Sequence, residues 1–107
     1  MLYFEHKYLY RRIKEHLPEG EEILTPIGKA RVAREGKDLT IVTWSAMVYK
    51  ALEAAERLEK EDGLQVEVLD LRTLLPMDDE AIMASVRKTN RVLIAHEDTR
   101  TGGVAGE

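Results

Sequence analysis

Leu39-Thr40-Ile41-Val42-Thr43-Trp44 is the stretch on which the reading of the fold turns. It is short, β-branched and mostly apolar, the pattern of a strand buried on both faces. The period changes immediately after it. Ser45 stands where a helix N-cap belongs. Val48, Leu52, Ala55 and Leu58, with Met47, Ala51 and Ala54, then recur at helical spacing through about Lys60, and Glu53, Glu56, Arg57, Glu59 and Lys60 take the other face. Gly63 supplies a stop. Gln65 to Leu71 reads as a second strand, with Val66, Val68 and Leu69 as core candidates. Pro76 breaks the chain, and Asp78, Asp79 and Glu80 open a second helix. Arg87-Lys88 close it, so that acids and bases both suit the helix dipole. Ile82, Met83 and Val86 supply its buried stripe, and Asn90 ends it. Arg91-Val92-Leu93-Ile94-Ala95 is a third strand, running into His96-Glu97.

Strand, helix, strand, helix, strand with short joints means parallel strands and right-handed crossover helices. Ala30 to Arg34 reads as a further strand, and the turn Glu35-Gly36-Lys37-Asp38 would allow an antiparallel hairpin with residues 39–44. Thr101-Gly102-Gly103-Val104-Ala105-Gly106-Glu107 reads as a loop opening a helix. A fold ending there would be truncated at its C-terminus, with the strand at 92–96 as an open edge and apolar surface around Val92, Ile94 and Val104 uncovered.

The rest of the composition narrows the class. A chain of 107 residues is of single-domain length. Sixteen Lys+Arg against 20 Asp+Glu give a net charge of −4, which argues against non-specific nucleic-acid binding as the main role. With 44% hydrophobic and 34% charged residues, a globular rather than disordered chain is expected. No apolar run approaches the roughly 18 residues of a membrane span. The N-terminus, MLYFEHKYLYRRIKEH, lacks the apolar centre of a signal peptide, so a cytoplasmic location is expected. The absence of Cys excludes disulfides, thiol catalysis and Cys-based zinc sites.

Ligands of open α/β sheets sit beyond the carboxyl ends of the strands, and those ends hold Ser45, Arg72-Thr73 and His96-Glu97-Asp98. His96 beside two carboxylates could act as an acid/base group, though a histidine hydrogen-bonded at a strand end is the commoner arrangement. Three adjacent side chains on extended backbone diverge, which disfavours a metal there. Thr101-Gly102-Gly103 has no P-loop Lys but could offer backbone N–H groups to an anion. Asp70 and Arg72 could form an ion pair at a strand end. Tyr3, Phe4, Lys7, Tyr8, Tyr10, Arg11 and Arg12 form an aromatic and basic cluster suited to burial against another domain or subunit. Trp44 is expected in the core, and His6 and His16 on the surface.

Specific strings say more. Phe4-Glu5-His6-Lys7-Tyr8-Leu9-Tyr10-Arg11, Leu17-Pro18-Glu19-Gly20 and Pro26-Ile27-Gly28-Lys29-Ala30 resemble segments of the E1 β subunit of 2-oxo acid dehydrogenase complexes. So do Arg34-Glu35-Gly36-Lys37-Asp38-Leu39-Thr40-Ile41-Val42-Thr43 and Val68-Leu69-Asp70-Leu71-Arg72-Thr73-Leu74-Leu75-Pro76-Met77-Asp78, and also His96-Glu97 through Thr101-Gly102-Gly103. The likeness runs through essentially the whole chain, in the family's order. It departs at Val104-Ala105-Gly106-Glu107, where the family more often places Phe first.

The resemblance implies a tail of a pyrimidine-binding domain and linker over residues 1–29, and an incomplete transketolase C-terminal-like domain over 30–107. That domain is a three-layer α/β/α sandwich on a mixed, mostly parallel sheet. Its first strand would be an antiparallel edge beside 65–71, which overrides the local hairpin. The family decarboxylates pyruvate or branched-chain 2-oxo acids with thiamine diphosphate and Mg²⁺, and passes the acyl group to lipoyl-E2. Its partners are the E1 α subunit, a second E1 β subunit and lipoyl-E2. The resemblance carries no catalytic, cofactor-binding or metal residue onto this sequence, so a structural, subunit-contacting role without activity of its own is expected. Self-association at the open edge is expected as well. The alternative is a stand-alone interaction or anion-binding module using His96, Glu97 and the Gly102-Gly103 turn.

Overall fold

The computed structural model describes residues 2–10, 12 and 26–106. The Leu17-Pro18-Glu19-Gly20 string and His16 lie outside the described residues, as does most of the expected linker. Four strands and two helices follow one another: β1 (Arg31–Arg34), β2 (Leu39–Thr43), α1 (Met47–Asp62), β3 (Val66–Asp70), α2 (Asp79–Thr89) and β4 (Val92–Ile94). Short 3-10 turns occur at Lys7–Leu9 and Val104–Gly106.

The sheet order is β1-β3-β2-β4. β2 runs parallel to β3, with Ile41 opposite Val68 and Val42 opposite Leu69, and parallel to β4, with Ile41 opposite Leu93. β1 pairs antiparallel with β3, Val32 facing Leu69. The hairpin between 30–34 and 39–44 therefore does not form. The turn after β1 carries the chain over the start of β3, and both Lys37 and Asp38 donate their N–H groups to the Gln65 carbonyl.

The alternating residues of β2 and β3 feed two cores. Ile41, Val66 and Val68 pack with Ala51 and Ala55 of α1 on one face. Val42, Leu69 and Leu71 pack with Ala81 and Ile82 of α2 on the other, together with Leu74 and Met77. The result is a three-layer α/β/α sandwich on a mixed, mostly parallel sheet. The connection from β2 moves one way across the sheet and that from β3 moves the other way. With α1 and α2 on opposite faces, both crossovers keep the same hand.

The helix ends follow local chemistry, with one exception. Gly63 takes a left-handed φ of 68° and its N–H closes on Glu59. Asp78 caps α2 by accepting the Ala81 N–H at 3.2 Å, and Asn90 ends it at φ 61°. Ser45 is not an N-cap: it sits at φ 57°, and Ala46 precedes the helix without a side-chain bond.

The buried stripe of α2 also departs from expectation. Met83 is 49% exposed, and the fully buried members are Ser85 and Thr89. They face a polar site in the sheet. Thr40 Oγ1 lies 2.8 Å from Ser85 Oγ and 2.7 Å from Thr89 Oγ1. Ser85 Oγ donates to Glu67, a carboxylate only 2% exposed, and Lys88 Nζ donates to its other oxygen at 2.5 Å. Met83, two positions from Ser85 and so on another side of the helix, faces outward when the hydroxyls face the sheet.

No helix is long and apolar enough to cross a membrane among the described residues.

Candidate functional site

Two neighbouring parallel strands that send their chains to opposite faces open a crevice at their carboxyl ends. Here those strands are β2 and β3, in register through Thr43 and Asp70. Two residues beyond each register partner, Ser45 and Arg72 adopt left-handed backbone, at φ 57° and φ 58°. Non-glycine residues rarely hold that conformation, at a cost of order 1 kcal/mol each. The Leu71 N–H donates to the Thr43 carbonyl at 3.0 Å, so the two strands stay joined beyond β3's last register pair.

The Asp70–Arg72 pair forms as the sequence suggested. Arg72 Nε lies 3.6 Å from Asp70 Oδ2, and the Arg72 N–H donates to Oδ1 at 3.2 Å. Burial pushes the Asp70 carboxyl above its ordinary value, against the pull of the Arg72 N–H and guanidinium. Thr73 is taken up structurally: its Oγ1 accepts the Gly28 N–H at 3.0 Å. Asp78 likewise accepts the Ala30 N–H at 2.9 Å, and the N–H groups of Ala30 and Ala81 hold its carboxyl below the ordinary range.

The end of β4 meets the start of α1 at a shallow cleft of about 240 Å³, lined by Trp44, Ser45, Met47, His96, Glu97, Asp98 and Val104. Arg72 and Thr73 do not line it. Trp44 is half-buried and packs against the Val42, Leu69 and Leu71 core, its ring tilted over His96 with centroids 5.6 Å apart. The imidazole does not make the hydrogen bond expected of a strand-end histidine: Nδ1 is buried and unpartnered. Gly103 explains how the loop lies so close. A Cβ there would stand 2.8 Å from His96 Cε1 and 2.4 Å from the Thr99 carbonyl oxygen. Only glycine fits under that contact. Among the described residues, no three His, Asp or Glu side chains converge as a metal site.

The N-terminal segment reaches the same place. His6 Nε2 lies 3.1 Å from Glu97 Oε2. Tyr8 and Leu9 line a second shallow cleft with Arg12 and with Ala46, Tyr49, Lys50 and Glu53 at the start of α1. The Arg12 guanidinium stacks 4.1 Å over the Tyr8 ring. Tyr3 and Phe4 are 87% and 86% exposed.

Sequence reasoning missed the Glu67 site. Burial pushes the Glu67 carboxyl up, but Lys88, Ser85 and the Gly36 N–H together outweigh it and hold it below the ordinary range. The available signal was the i, i+4 pair Ser85 and Thr89, which shares one helix face with no apolar rationale.

The family described as the transketolase C-terminal domain matches residues 28–107. A Bacillus subtilis protein, 2-oxoisovalerate dehydrogenase subunit beta, is 50% identical over 107 residues, 100% of this chain and 32% of that protein. A Staphylococcus aureus pyruvate dehydrogenase E1 component subunit beta is 50% identical over 104 residues, 97% of this chain and 31% of its own. Among solved structures, a split-gene transketolase described as an inactive β4 tetramer superposes with a TM-score of 0.73 at 40% identity, covering 84% of this chain and 30% of that one. The chain thus spans about a third of the length of the curated relatives it matches.

Proposed function

Since the chain belongs to the transketolase C-terminal domain family, we propose that it is that domain of an E1 β subunit in a 2-oxo acid dehydrogenase. The parent enzyme would oxidatively decarboxylate pyruvate or a branched-chain 2-oxo acid with thiamine diphosphate and Mg²⁺, and pass the acyl group to lipoyl-E2. The observation that carries this reading is 50% identity to E1 β subunits along the whole chain, not only within the common fold. We place the domain boundary near residue 29, with the preceding residues belonging to the pyrimidine-binding side, and the location as cytoplasmic.

The described residues do not suit the cofactor itself. No cluster of carboxylates or imidazoles is placed to hold Mg²⁺. The cleft beside His96 is rimmed by Glu97 and Asp98, whose charges oppose a diphosphate. We assign this domain a contact role: with a second β subunit, with the α subunit and with lipoyl-E2. The β4 tetramer of the structural relative supports β–β contact.

The test has two arms. Purified chain with thiamine diphosphate and Mg²⁺ should release no CO₂ from pyruvate or 2-oxoisovalerate. An antibody to this chain should recover from its source cells a polypeptide about three times longer, travelling with an α partner. Decarboxylation by the chain alone overturns the contact role. Recovery of a 107-residue product without an α partner overturns the E1 assignment.

A further inference from the structure

We infer that the C-terminal half of α2, Ser85–Thr89, is a latch held to the sheet by the ionised Glu67. It opens together with the entry to β4 while the first half of the helix stays docked.

The two halves of α2 lie on different floors. Ala81 and Ile82 pack on Val42, Leu69 and Leu71, with Leu74 and Met77 beside them. Asp78 ties the same end down by accepting the N–H groups of Ala30 and Ala81. Under the second half stand Thr40 and Glu67, partners in the β2–β3 register and 0% and 2% exposed. Ser85 and Thr89 meet them with hydroxyls. Apolar burial therefore stabilises the first half of the helix, and hydrogen bonding the second.

The direction of those hydrogen bonds follows from the carboxylate. An ionised carboxylate only accepts, and each hydroxyl has one proton to give. Ser85 Oγ gives its proton to Glu67. It lies 2.8 Å from Thr40 Oγ1 and must accept there, so Thr40 gives its proton to Ser85. Thr40 Oγ1 then accepts from Thr89 Oγ1, 2.7 Å away. The chain runs from Thr89 through Thr40 and Ser85 to Glu67, and the charge at its end sets its sense. That charge has two further partners. Lys88 Nζ donates to it at 2.5 Å, and the Gly36 N–H in the turn after β1 donates at 3.4 Å. Glu35, in the same turn, also favours the Lys88 ammonium.

The same cluster seats β4. The Thr40 N–H donates to the Arg91 carbonyl at 2.9 Å, and Thr89 Oγ1 lies 3.0 Å from that oxygen. Asn90, left-handed at φ 61°, joins Thr89 to Arg91. Lifting Thr89 off Thr40 therefore carries with it the residue from which β4 starts.

The experiment is native-state hydrogen exchange of the full chain at neutral pH, without urea and in low urea. The N–H groups of residues 86–90 and of Thr40 should share one protection factor. It should lie well below that of Val68 in the interior strand β3 and should hardly change with urea. Ile82→Val should weaken Val68 about three- to tenfold and leave the shared value unchanged, because Ile82 stays docked in the open form. Glu67→Gln should lower the shared value about ten- to hundredfold. Residues 86–90 exchanging with the protection and urea slope of Val68 overturn the inference, as does a Thr40 N–H protected like Val68. So does a shared value that falls in Ile82→Val or is unmoved in Glu67→Gln.

Discussion

The two edges of the sheet are built to opposite standards. β1 carries Arg31 and Arg34, its register with β3 is irregular between Val32 and Arg34, and Arg34 is paired with Glu59 of α1. Charge and irregularity are the devices by which an edge strand refuses a further partner. β4 has neither. Val92, Leu93 and Ile94 are 48%, 52% and 45% exposed, so both faces of a three-residue strand stand half-bare. Val104, expected to be bare too, is half-buried. The contrast teaches that β1 is finished as an edge and that β4 has the composition of an interior strand.

The sharpest way to break this comparison is to disturb what finishes the β1 side. Gly36 lies in the turn after β1, and a Cβ there would meet the Val66 carbonyl carbon at 2.4 Å and the Glu67 nitrogen at 2.5 Å. These atoms are backbone of β3 and cannot yield, so Gly36→Ala should cost about 3 kcal/mol. Urea unfolding should show the midpoint falling with unchanged slope. A loss below about 0.5 kcal/mol would mean that this turn is not fixed to β3.

A smaller effect is expected at Glu67, which pins α2 to the strand between β1 and β2. Its carboxyl is held low in the folded chain. Its contribution is therefore present above the ordinary value of 4.5 and is lost as pH falls through the lower folded value. Lys88 is raised by the same contact, so its contribution is present below 10.5 and is lost as pH rises through the higher folded value. Glu67→Gln should cost about 2 kcal/mol at neutral pH and should flatten the acid limb of stability against pH. An unaltered acid limb would place the acid sensitivity elsewhere.

The smallest effect on folding, and the most direct on the comparison, belongs to β4. Leu93→Lys should leave stability within about 0.5 kcal/mol. The wild-type chain should self-associate in sedimentation at high concentration, and the variant should sediment as a monomer. A wild-type chain that is a clean monomer would show that β4 is as finished as β1.

Much of this fold was legible because local chemistry agreed with tertiary need. Gly63 and Asn90 end their helices, and Asp78 starts α2, as their side chains and backbone freedom dictate. Val66, Val68 and Leu69 are core because β3 has both faces covered. The local hairpin reading, which the resemblance overrides in favour of the observed β1–β3 pairing, failed for a different reason. The four-residue turn after β1 permits a hairpin locally, and only the distant β3 decides the pairing. Glu67 was hidden for the same reason: its partners lie on α2 and in the turn after β1, and a lone Glu in a strand reads as solvent-facing. At the candidate site, sequence placed Ser45 and His96–Asp98 at strand ends correctly. It could not show that His96 turns to Trp44 rather than to a hydrogen-bonding partner.

That last contact has an optical consequence. Trp44 is the chain's single tryptophan, and its indole faces an imidazole 5.6 Å away that is itself held under the Gly103 loop. All ultraviolet emission from tryptophan therefore originates at the mouth of one cleft. Anything that shifts the loop, fills the cleft or adds a strand beside β4 is reported by the protein's own fluorescence, without a label.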